Sequence, residues 1–144
     1  MTGPAWGGSL EIGDFHLRAS RYLPASESCE GAVLFLETSE ELPPASYVYR
    51  VLMGMGERRL LSQFAALIWG RPKAWSHEQP NSPEAKEEYV AAQHAAVLTA
   101  VGEYNPRMPV AWGVDFGHTD PQYVIPSGGE ITVDPVTQRI DVTY

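Results

Sequence analysis

Apolar and polar positions fall into alternating blocks along this chain. Ala32 to Leu36 is an unbroken apolar run between Gly31 and Glu37, the pattern of a strand covered on both faces. Ala65 to Trp69 repeats the pattern and is closed by Gly70-Arg71-Pro72. Pro109 to Val114 gives a third run. Between the first two, Val48, Val51, Leu52 and Met55 recur at spacings of three and four after Pro44, which predicts a helix with one apolar face. Gly54 and Gly56 should weaken its last turn, and Leu60 to Phe64 continues as a short helical turn.

Ser82-Pro83-Glu84 opens a second helix with a cap, a first-turn proline and an early acid, and Val90, His94, Val97 and Val101 share its inner face. It should run to about Val101, before Gly102 and Pro106. Strict alternation in Glu130 to Asp134 and again in Arg139 to Val142, across Pro135, predicts an antiparallel hairpin. Strand, helix, strand, helix, strand in sequence predicts an α/β domain with a mainly parallel, right-handed arrangement, flanking helices and a C-terminal β-hairpin.

Two segments carry weaker patterns. The opening, Gly3 to Leu10, reads as turn formers, as though an earlier part of a polypeptide had been cut away, and Leu10 to Arg21 has mixed polarity. Residues 73 to 83 form the longest irregular stretch, the kind of loop that serves as a lid or rim.

The densest polar cluster is Asp115-Phe116-Gly117-His118-Thr119-Asp120-Pro121-Gln122, directly after the third apolar run. Gly117 and Pro121 force a turn there, so His118 sits just past a strand's carboxyl end. Glu37 sits at the equivalent end of the first strand, followed by Glu40 and Glu41. Carboxyl ends of parallel strands are where loops hold reactive side chains over a crevice. A carboxylate beside an imidazole is the orienter and base of a catalytic triad: the acid accepts Nδ1–H and stabilises the imidazolium formed when Nε2 takes a proton. No Gly-x-Ser-x-Gly elbow supplies a nucleophile, and Ser127, in Pro-Ser-Gly-Gly, lacks the strand and helix that an elbow needs.

Other readings compete. Asp115, His118 and Asp120 with Glu37 offer metal ligands, but no His-x-x-x-His or Cys-x-x-Cys pair accompanies them. Asp-Phe-Gly matches a kinase metal-binding motif without the rest of the kinase set. Glu40 and Glu41 read first as a solvated loop, His94 as a packing residue, and Trp69 and Trp112 as core. His16 and His77 carry no usable signal. A stand-alone binding or assembly domain using the same crevice is the alternative to an enzyme.

Composition narrows the partners more than the fold. At 144 residues the chain fits one domain, able to bury roughly 70% of its extended surface. A formal charge of -8 disfavours nucleic acid and anionic membranes. Cys29 is the single cysteine, so no internal disulfide forms. With no signal-peptide pattern in residues 1 to 20 and no run of about 18 apolar residues, a cytoplasmic protein is expected.

Taken in order, Gly31 to Glu41, Gly70-Arg71-Pro72-Lys73, Val114 to Gln122 and Ile125 to Gly129 resemble the C-terminal domain of the LD-carboxypeptidase family, and within it the microcin C self-immunity peptidases. The resemblance includes Trp6-Gly7-Gly8-Ser9-Leu10, where Ser9 stands at a position at which members usually carry Asn. It implies a "swivelling" β/β/α domain of a two-domain serine peptidase with no cofactor. The nucleophilic serine and oxyanion hole would belong to an N-terminal Rossmann-like domain, and Glu37 and His118 would complete a Ser-Glu-His triad. Glu40, Asp115, Gly117, Thr119 and Asp120 would shape the site. The implied reaction is hydrolysis of an amide bond at a free carboxyl end, in murein tetrapeptides or in peptidyl or aminoacyl nucleotides. The implied partners are the N-terminal domain and that substrate, and a homodimer is compatible with this reading.

Overall fold

The computed structural model describes the backbone of residues 1–144 and the side chains of all but Ser26. Four parallel strands, β1 (Thr2–Ser9), β2 (Val33–Glu37), β3 (Ala66–Gly70) and β4 (Val110–Val114), are joined by α1 (Leu10–Ala19), α2 (Ala45–Glu57) and α3 (Pro83–Tyr104). β5 (Glu130–Asp134) and β6 (Arg139–Thr143) form the antiparallel hairpin. The sheet order is β4-β3-β2-β1-β5-β6, with β5 antiparallel to β1.

Alternate residues of the central strands enter two separate cores. Leu34, Leu36, Leu67 and Trp69 pack with the three helices on one face. Val33, Phe35, Ala66 and Ile68 pack on the other against Phe116, Ile131 and Val133, where the sheet curls so that its own hairpin supplies the cover. This double coverage is why β2 and β3 read as unbroken apolar runs rather than as alternations. The curl also brings β4 and the hairpin to the two sides of one cleft, lined by Val110, Trp112 and Val114 and by Val133, Arg139 and Ile140.

Sequence and structure agree on β2 to β6, on α2 and α3, and on the helical turn at Leu61–Gln63. Val48, Val51, Leu52 and Met55 are buried as their spacing predicts. Ser82 caps α3, its Oγ accepting from the Ala85 N–H at 3.3 Å, an interaction worth about 1 kcal/mol. α2 runs through both of its glycines to Glu57, because Gly56 leaves the space that the Tyr104 ring occupies. A Cβ there would lie 2.3 Å from that ring.

The opening segment departs from expectation. Thr2 to Ser9 is a strand, and it lies inside the sheet between β2 and β5. Gly3 and Gly7 serve close approach rather than turning, since a Cβ on Gly7 would stand 1.7 Å from the Phe35 carbonyl oxygen and one on Gly3 2.1 Å from that of Gly31. The mixed-polarity segment after it is helical, with Leu10, Asp14 and Leu17 buried at helical spacing. Asp14 is held by the Tyr47 hydroxyl, which donates at 2.7 Å, and by Arg18 at 2.7 Å. No helix among the described residues is long and apolar enough to cross a membrane.

Candidate active site

Three adjacent strands, β2, β3 and β4, deliver their carboxyl ends to one edge of the sheet. β2 ends on Glu37, β3 leads into Arg71 and Lys73, and β4 leads into the loop that carries His118. The Glu37 and His118 side chains meet there, with Nδ1 2.7 Å from Oε2. A carboxylate only accepts, so Nδ1 is the donor of this bond, and in the neutral ring the lone pair is on Nε2. The Glu37 side chain is 10% exposed and that of His118 is 41% exposed. The imidazole is therefore partly open to solvent while its carboxylate partner is almost covered.

β3 lies between the two strands that supply this pair, and two glycines let the carboxylate cross the gap. A Cβ on Gly70, the last residue of β3, would sit 2.7 Å from Glu37 Cβ and 2.9 Å from the Phe116 carbonyl oxygen. A Cβ on Gly117 would sit 2.8 Å from Glu37 Oε2 and 2.9 Å from its Cβ. Gly117 also has φ +97°, a conformation that side chains rarely adopt. Glu37 is thus gripped between two residues that have no side chain.

Arg71 braces the His118 loop from β3. Its Nη2 lies 2.7 Å from Asp115 Oδ1 and donates to the Asp120 carbonyl at 3.0 Å. The Tyr123 N–H donates to the Asp115 carbonyl at 2.6 Å, and Gln122 Nε2 donates to the Gly117 carbonyl. On the other side Lys73 donates to Glu40 Oε2 at 2.7 Å, tying the loop after β3 to the loop after β2. The Lys73 ammonium holds the Glu40 carboxyl below its ordinary range, and the fields of His118 and His77 act in the same direction. The loop after β2 is anchored further by Glu11, whose Oε1 accepts from the Ser39 N–H at 3.0 Å and its hydroxyl at 2.8 Å. A cavity of 460 Å³ opens beside His118, lined by Arg71, Lys73, Trp75, Thr119 and Asp120.

The family model of the LD-carboxypeptidase C-terminal domain matches residues 2–133. The chain belongs to that family. Solved structures with the same fold include an MccF-like protein from Streptococcus pneumoniae in complex with AMP, at 24% identity and TM-score 0.70, covering 100% of this chain and 41% of the other. A muramoyltetrapeptide carboxypeptidase from Oxalobacter formigenes shares 22% identity at TM-score 0.72, with coverage of 98% and 43%. MccF in complex with glutamyl sulfamoyl guanosine shares 20% identity at TM-score 0.70, with coverage of 100% and 38%. The chain therefore spans about two fifths of the length of these proteins. A search of curated protein sequences found no match.

Within this LD-carboxypeptidase domain, the residues singled out in the sequence separate into two groups. Glu37, Glu40, Asp115, Gly117, His118, Thr119 and Asp120 gather at the one sheet edge. Asp115 faces Arg71 rather than a shared ligand position, and among the described residues no three His, Cys, Asp or Glu side chains converge as a metal site. His94 lies elsewhere, half-buried on α3 with its ring centroid 4.5 Å from that of Trp112. Ser127 is in the exposed turn before β5. His16 lines an apolar cavity between α1 and α2, and Cys29 is buried, which pushes its thiol pKa up.

The bracing residues were not assigned from the sequence. Arg71 and Lys73 were visible in Gly-Arg-Pro-Lys, but no role followed from that motif alone. The available signal was charge order: acid after β2, base after β3 and acid after β4 predict cross-loop pairs once the strands are known to be neighbours.

Proposed function

We propose that this domain completes the active site of a serine carboxypeptidase, with Glu37 as orienting acid and His118 as general base. The nucleophilic serine and the oxyanion hole come from a further domain of the same polypeptide. The observation that carries this reading is the 2.7 Å hydrogen bond from His118 Nδ1 to a nearly buried carboxylate, on an imidazole that is itself 41% exposed. The serine hydroxyl passes its proton to Nε2 as Oγ attacks the scissile carbonyl, and Glu37 stabilises the imidazolium. Nε2–H then protonates the leaving amine. Water then attacks the acyl carbonyl as Nε2 takes its proton, and Nε2–H returns that proton to the serine Oγ as the ester bond breaks and the acid leaves.

Family membership supports an amide substrate at a free carboxyl end, of the murein-tetrapeptide or the aminoacyl- or peptidyl-nucleotide type, and a cytoplasmic protein is the reading that goes with such substrates. The test is turnover by the complete polypeptide on a murein tetrapeptide and on a glutamyl sulfamoyl nucleoside. His118→Ala should lower kcat by at least about a thousandfold, and Glu37→Gln by about a hundredfold or more, with little change in KM. The 144-residue chain alone should show no turnover, since it would lack the groups that attack and that stabilise the oxyanion. Hydrolysis by the isolated chain that disappears in Ser127→Ala would overturn the proposal.

A further inference from the structure

Two cations, Arg71 and Lys73, line the cavity beside His118 in a protein whose formal charge is -8. These two cations have different commitments. Arg71 spends Nη2 on Asp115 and on the Asp120 carbonyl, and so serves the loop that carries the imidazole. Lys73 has one carboxylate partner, Glu40, and its ammonium also lies 5.0 Å from the Trp75 ring centroid. An ammonium has three donors, and a single carboxylate oxygen at 2.7 Å uses one of them. The Lys73 side chain is 19% exposed, whereas that of Glu40 is 58% exposed. The anion is thus the outer and more easily displaced member of the pair, and the cation is the inner, fixed one.

We propose that Lys73 reads the substrate's free carboxylate, and that Glu40 occupies its place until substrate arrives. This deepens the hydrolytic reading above, from which the choice of a carboxylate follows. A carboxypeptidase has to recognise an anion about one residue beyond the bond that it cuts, and Lys73 lines the same cavity as His118. Trp75 supplies an apolar wall beside the ammonium. Its ring also lies 5.7 Å from the Lys86 ammonium, which adds positive potential to that side. Glu40 acts as an internal competitor. While paired it neutralises Lys73, so anions that lack the remaining contacts gain little there. Displaced, it leaves a partly desolvated ammonium for the incoming carboxylate.

Binding to the chain itself tests this without requiring turnover. N-acetyl-D-alanine, N-acetyl-D-alaninamide and AMP are titrated separately while the backbone and imidazole NMR signals of residues 71–75 and 118–120 are followed. The acid should shift those signals and the amide should not. Lys73→Met should weaken the acid by at least about tenfold, the scale of a lost charge-assisted hydrogen bond. Glu40→Gln, which removes the competitor, should tighten it by about threefold or more. A purely structural Glu40–Lys73 pair predicts no gain from Glu40→Gln. Thermal melts of both variants check that they remain folded.

Equal binding of acid and amide, no binding of the acid, no tightening in Glu40→Gln, or a response to AMP alone would each overturn the assignment. Because no nucleophile is involved, carboxylate binding can hold while the hydrolytic reading fails. Turnover by the complete polypeptide can likewise hold while Lys73→Met leaves KM unchanged.

Discussion

Replacing Gly117 with alanine puts a methyl group where Glu37 already stands. The new Cβ would lie 2.8 Å from Oε2, 2.9 Å from Cβ and 3.0 Å from Cγ of that residue. The backbone at φ +97° adds strain of about 1–3 kcal/mol, of which the reduced freedom of the unfolded chain offsets about 0.4–1 kcal/mol. Glu37 Cβ is fixed by its strand, so only the carboxylate end can move. If it moves, it gives up a charge-assisted hydrogen bond worth about 1.5–3 kcal/mol. The expected total is about 1.5–5.5 kcal/mol, and for 144 residues this lowers Tm by about 5–18 °C. Thermal unfolding followed by circular dichroism reads the loss, and the downfield His118 Nδ1 proton signal reads the broken pair. Repeating the substitution in a Glu37→Ala background should reduce its cost by about 0.5 kcal/mol or more, because the Oε2 and Cγ contacts are then gone. A cost below about 0.5 kcal/mol in the parent, or no difference between the two backgrounds, would refute the argument that Glu37 is gripped by the absence of side chains.

Three further outcomes are expected. Gly70→Ala should also weaken the His118 Nδ1 signal, because its Cβ meets Glu37 Cβ at 2.7 Å and the Phe116 carbonyl at 2.9 Å; an unchanged signal and Tm would contradict this. Trp69→Ala should cost about 3–5 kcal/mol in urea unfolding. Trp69→Phe should stay within about 1 kcal/mol of the parent, since the indole N–H that it removes is buried without a hydrogen-bond partner among the described residues. Stability should be full below pH 10 and fall as pH rises towards 12. Burial raises the phenol pKa of Tyr47 and of Tyr89 to about 12 from 10.0, the bond to Glu57 does the same for Tyr104, and the unfolded chain ionises first. Thermal melts across that range test the sign, and a flat Tm from pH 9 to 12 would contradict it.

The parts legible in the sequence are those in which one physical demand dominates. β2 and β3 are covered on both faces, so each admits only apolar residues, and the first polar residue after such a run marks a strand end. Glu37 follows from that directly, and His118 lies in the loop that opens at Asp115, which consecutive parallel strands put at the same edge. β1 was illegible because two demands conflict there. It lies inside the sheet, yet close approach to β2 requires Gly3 and Gly7, whose Cβ atoms would come within 2.1 Å and 1.7 Å of carbonyl oxygens. Composition therefore says turn while tertiary packing says strand. α1 has only a weak sequence signal because a buried polar residue, Asp14, interrupts its apolar stripe, and the partners that make this tolerable include Tyr47, from a different helix. Contacts between loops, such as Lys73 with Glu40, have no local signature at all.

Glu37 and His118 stand 81 residues apart in sequence, with all of β3 between their strands. Closing that distance requires α2, β3, α3 and β4 to be in place, so the pair is among the last contacts that a growing or refolding chain can make. A partly folded molecule holds an ordinary solvated glutamate and an ordinary solvated histidine. The carboxylate–imidazole pair comes into being only with the finished sheet, so the half-site proposed above stays chemically silent until the architecture around it is complete.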